Sequence, residues 1–149
     1  MNTIVTPPAE SVEVGSSTLV RSDRGIAVSL QSSGLPAGHA VTVWWMVVNP
    51  GAAALSVLYA AGHVVDDSGT AGFGGALQEG DTDGLVELPG LSLEGLLDAT
   101  GATVALVVRD HGPARADIVQ QQIHTFDVCN PDGVDHCTDL QMSIHPPAS

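Results

Sequence analysis

Six histidines, His39, His63, His111, His124, His136 and His145, are the most versatile side chains in this chain of 149 residues. An imidazole moves protons near neutral pH or ligates a metal through either nitrogen, so their placement decides which chemistry is open. His63 closes an apolar run, on the Val57, Tyr59 and Ala61 side of a regular strand, and His111 stands just past a second apolar run beside Asp110. These two are the candidate acid/base residues. Neighbouring side chains of an extended strand point to opposite faces, so Asp110 orients His111 only across a bulge, and otherwise an acid from another strand is needed. No two histidines show the close spacing of a metal motif. A mononuclear copper, zinc or iron site would have to be assembled by the fold from His63, His111 and either His124 or His145. Histidines scattered over loops and strand ends are the simpler reading, and no metal is assigned.

Binding has its own candidates. Trp44, Trp45 and Tyr59, with Met46 and Phe73, would line a pocket for an apolar ligand or simply form the core. Arg109 and Arg115 lie within seven residues, Arg109-Asp110-His111-Gly112-Pro113-Ala114-Arg115. They suit a small carboxylate ligand or the neutralisation of nearby acids. Other chemistries lack their signatures. No serine sits in a G-x-S-x-G turn, and Gly72-Phe73-Gly74-Gly75 lies between strands rather than opening a helix, which argues against nucleophilic hydrolysis and nucleotide binding. Asp81-Thr82-Asp83-Gly84 with Glu87 lacks the ligand spacing of an EF-hand and reads as a solvated turn. No cofactor is implied.

Composition narrows the partners. Four basic residues, all arginine, stand against 17 acids, for a net charge of −13. Such a surface repels phosphate backbones and anionic membranes, so nucleic acid is excluded as an expected partner. No stretch reaches the roughly 18 apolar residues of a membrane helix. Cys129 and Cys137 enclose a polar turn-forming loop, Asn130-Pro131-Asp132-Gly133-Val134-Asp135-His136, which favours a disulfide over two free thiols. Closing so short a loop would contribute on the order of 2.5 kcal/mol and implies an oxidising compartment. Residues 1–15 show no secretion leader, so the expectation is a secreted or surface protein if a leader was removed, and a cytoplasmic one otherwise.

The elements that must position these groups read as β-structure. Residues 40–48, AVTVWWMVV, are β-branched and aromatic throughout. Val41, Val43, Trp45 and Val47 share one face and Trp44, Met46 and Val48 the other, so this strand is expected to be central and covered on both sides. Residues 17–22 and 25–32 form a hairpin around Asp23-Arg24, with Ile26, Val28 and Leu30 inward. Extended runs follow at 55–65 and 70–77, the latter with Gly72, Gly74 and Ala76 on one face, suggesting a close backbone approach or a bend. A short strand is expected at 85–88, one helical turn at 92–98 and a buried strand at 102–108, with a break at Pro113. Residues 116–126 fit either a short helix or a strand, and a half-solvated strand at 138–144 closes the domain. The expected layout is a flexible arm at 1–15, one β domain at 16–145 and a tail at 146–149. About eight short strands fit a single-domain antiparallel β-sandwich, with a small closed β-barrel as the alternative.

Residues 17–21 (STLVR), 34–45 (GLPAGHAVTVWW), 56–65 (SVLYAAGHVV) and 107–114 (VVRDHGPA) resemble an uncharacterised family of exported bacterial all-β proteins over most of residues 17–145. Members carry a leader and further cysteines after the Asn-Pro turn, where this chain has Ala52, Ala53 and Ala54. The resemblance implies one β domain and directs attention to His63 and His111, without an activity. The leading functional expectation is a non-catalytic module that binds a small or apolar partner. The alternatives are a β-barrel enzyme of cyclase or isomerase type, using His63 or His111 as acid and base, and a histidine-ligated metalloprotein. Whether the chain is an enzyme stays open at this point.

Overall fold

A computed structural model of the chain describes residues 2–5, 13–128 and 137–148. Eight strands occur in the order β1 Asn2–Val5, β2 Glu13–Arg21, β3 Gly25–Ser32, β4 His39–Val48, β5 Ser56–Val64, β6 Ala71–Gln78, β7 Thr103–Pro113 and β8 Thr138–His145, with a single helical turn, α1 Val119–Gln122, between β7 and β8. All pairings are antiparallel. Strands β5-β4-β7-β8 form one sheet and β2-β3-β6 the other. Strand β1 joins them, pairing along β2 and touching β8 only at Val5 opposite Met142. The two ends of this order, β5 and β6, are not laddered together, so the barrel alternative gives way to the sandwich.

The alternation written in the sequence explains the layers. Ile26, Val28 and Leu30 of β3 and Phe73 and Leu77 of β6 face Val41, Val43, Trp45 and Val47 of β4 and Val104, Leu106 and Val108 of β7. All of these are buried. Strand β4 lies between β5 and β7 as its two apolar faces require. Its inner face enters the core, and its outer face carries Thr42, Trp44 and Met46.

Several expectations are corrected. Residues 1–15 contain β1 and the start of β2 rather than only a loose arm. The strand expected at 85–88 reduces to one bridge, Leu85 with Leu58. The helical turn expected at 92–98 is absent because the buried Asn49 takes its backbone: Nδ2 donates to Gly95 O at 2.7 Å and Oδ1 accepts from Leu97 N at 2.8 Å. Gly95, at φ 71°, adds a left-handed break there. Gly72 and Gly74 are exposed; a Cβ on Gly72 would meet the Gln31 side chain at 2.8 Å, and the close backbone approach falls at Gly75, where a Cβ would lie 3.3 Å from Ala60 O. Strand β7 runs on past residue 108, where its end was expected, and stops at the expected break, Pro113. Cys137 is described but Cys129 lies outside the described residues, and with it the proposed pairing. No helix among the described residues is long and apolar enough to cross a membrane.

Candidate functional site

The outer face of the four-stranded sheet is crossed by an irregular strap, residues 114–128. Such a segment has few ladder partners for its carbonyl oxygens, and a buried carbonyl needs a donor. Three side chains rising from the sheet supply donors. Tyr59 Oη donates to Ile123 O at 2.8 Å, Arg109 Nε to Phe126 O at 2.8 Å, and His111 Nδ1 to Val128 O at 2.8 Å. Gln122, fully buried, fixes the start of the strap: its Oε1 accepts from Arg115 N at 3.0 Å and its Nε2 donates to Pro113 O at 3.1 Å.

His111 is held from both sides. Because Nδ1 faces a carbonyl, it must carry the proton, and Nε2 then accepts from Thr42 Oγ1 at 2.7 Å, while Thr42 Oγ1 accepts from Trp44 Nε1 at 2.6 Å. The chain Trp44–Thr42–His111–Val128 is thus satisfied with a neutral imidazole. Burial pushes the His111 pKa down, assisted by the neighbouring Arg109 charge. The ring has no exposed surface. Cys137 Sγ lies 3.6 Å from His111 Nδ1. Asp110 turns to the other face, where it accepts from His39 Nδ1 at 3.0 Å and from Gly112 N at 2.8 Å.

Strap, sheet and the loop after β6 enclose a cleft of about 330 Å³ lined by Trp44, Tyr59, Asp83, Gly84, Leu85, Val86, His124, Thr125 and Phe126. Its aromatic groups interlock. The Trp44 ring meets Tyr59 edge-on at 5.4 Å and Phe126 edge-on at 5.1 Å, and His124 stacks on Tyr59 at 5.7 Å. Arg109 lies 4.1 Å over the Phe126 ring and donates to Asp139 at 2.8 Å. Burial raises the Tyr59 pKa, so its hydroxyl stays protonated as a donor. The loop is seated on β5 by Tyr59 N to Gly84 O at 2.9 Å and Val86 N to Val57 O at 2.8 Å.

The structure therefore brings Trp44, Tyr59 and Arg109 together and separates the other candidates. Trp45 points into the core on the opposite face. Arg115 pairs with Asp117 at the surface, 3.3 Å away. His63 does not share the Tyr59 side: Ala61 pairs with Val43 and Tyr59 with Trp44, leaving Ala60 as a bulge that turns His63 to the inner face, opposite Val41. There it stacks on Phe73 at 4.7 Å. His145 lies between the sheets, 2.8 Å from Ser17 Oγ, which in turn meets Ser143 Oγ at 2.6 Å. Burial lowers its pKa, with Arg21 contributing. Among the described residues no three His, Cys, Asp or Glu side chains gather as a metal site. Phe126, Asp83 and the fully buried Gln122 were not singled out as site residues from sequence, because their roles depend on where the strap and loop land. In the sequence His124 stands out only as a metal-ligand candidate.

Comparisons with protein-family models, curated proteins and solved structures find no match.

Proposed function

We propose that this protein is a non-catalytic β-sandwich module whose cleft binds a small, largely apolar ligand against Trp44, Tyr59 and Phe126. One observation carries the reading: an aromatic-lined concavity of ligand size on the outer face of the four-stranded sheet. The residues with the most obvious catalytic potential point the same way. His111 spends both nitrogens on internal bonds, and His63 is stacked on Phe73 away from the cleft.

The test is saturation-transfer NMR with benzyl alcohol, toluene and cyclohexanol as probes, on the wild type and on Tyr59→Ala. Binding to the wild type and at least tenfold weaker binding to the variant, with the sheet intact by circular dichroism, is the expected result. Equal binding to both proteins contradicts the reading.

A further inference from the structure

The cleft's aromatic lining is joined by a carboxylate, Asp83, on the loop after β6. Asp83 lines the cleft, and it also lines an adjoining hollow of about 340 Å³ with Asp81, Leu58, Ala76, Leu77 and the other flank of Tyr59. Asp83 is exposed and makes no ion pair among the described residues. The Asp81 carboxylate accepts from the backbone N of Gln78 at 3.0 Å. The arginines that the fold immobilises point elsewhere. Arg21 donates to Ala99, Ala102 and Pro146 carbonyls, Arg115 pairs with Asp117, and Arg109 is neutralised by Asp139 at 2.8 Å.

From this complementarity we infer that the cleft's ligand is a small organic cation of the alkylammonium type, its charge facing Asp83 and its carbon groups laid against Tyr59, Trp44 and Phe126. The inference rests on the binding reading above. Ring faces attract cations through their quadrupole, and the molecule already uses that attraction once, with the Arg109 guanidinium over Phe126. A net charge of −13 raises the local concentration of cations around the whole molecule and disfavours anions. An alkylammonium meets all three features with one group: it is apolar in bulk, cationic in charge and able to lie on a ring.

The experiment compares choline with its neutral carbon isostere, 3,3-dimethylbutan-1-ol, and with 3,3-dimethylbutyrate, by chemical-shift titration followed at the Gly84 and Thr125 amides. Choline should bind about tenfold more tightly than the alcohol, and the carboxylate should not bind. Asp83→Asn, an exposed change that leaves the fold untouched, should bring choline and the alcohol to near-equal affinity, whereas Asp67→Asn, in the turn before β6, should keep the difference. Preference should shrink as salt rises. If the alcohol binds as well as choline, the cation assignment is overturned while the binding reading stands. If neither shifts the cleft amides but benzyl alcohol binds in the saturation-transfer test, only the cation assignment falls; if no probe binds, both fall.

Discussion

His111 is a proton-carrying residue with both ring nitrogens engaged inside the fold. Its Nδ1 proton goes to Val128 O and its Nε2 lone pair to Thr42, an arrangement available only to the neutral ring. Its pKa, and that of His145, lie below the ordinary value of 6.5 because burial penalises the charged form. The unfolded chain therefore binds more protons than the folded one as the pH drops below that value. The stability these rings contribute is complete above pH 6.5 and is lost as pH falls through their folded pKa values. A lower urea midpoint at pH 5.5 than at pH 7.5 is expected, with a smaller difference in His111→Asn; an unchanged midpoint would refute the buried neutral ring. Asp66 and Asp98, also held low, chiefly by hydrogen bonds to Ser68 and Gly101, act only in more acidic solution. The sequence singles out Tyr59 as a pocket aromatic, Arg109 as a partner for carboxylates and His111 as an acid/base residue. It did not disclose their shared task, since a donor's acceptor on a strap 17 or more residues away is set by tertiary structure.

Strands were the most legible elements because alternation and turn residues are local signals, and β3, β4, β5 and β8 fall where the pattern puts them. What local pattern cannot encode is the bulge at Ala60, which sends His63 inward, or the capture of residues 95 and 97 by Asn49, which replaces a helical turn. The strap was ambiguous for the same reason: only four of its residues are helical, and side chains from elsewhere hold the rest. Gly62 shows how closely it lies on the sheet. A methyl group there would stand inside the van der Waals surface of the Ile123 carbonyl. Gly62→Ala should therefore lift the strap, lowering stability by about 1–3 kcal/mol in urea denaturation and speeding amide exchange at residues 122–124. Exchange left unchanged would show that the strap is not seated there.

Across the whole molecule, core and cleft occupy opposite faces of one sheet, separated by the backbone of β4. Trp44 and Trp45, adjacent in sequence, divide between them: Trp45 is fully buried between the two sheets, and Trp44, itself only 2% exposed, forms the floor of the cleft on the other face. Stability and binding should therefore be separable. Leu106→Ala, in the inner layer, should cost about 3 kcal/mol in urea unfolding while leaving benzyl alcohol affinity within about twofold at temperatures where the variant is folded. A loss of binding parallel to the loss of stability would contradict that separation.

The most direct test of the account is to follow the two indole N–H signals in a ¹H–¹⁵N spectrum while benzyl alcohol is added. The account predicts that the Trp44 signal moves saturably, together with the Gly84 and Thr125 amides, and that the Trp45 signal stays in place. Movement of Trp45 with Trp44 unchanged, or of neither, would mean that the strap-covered cleft is not where this protein binds.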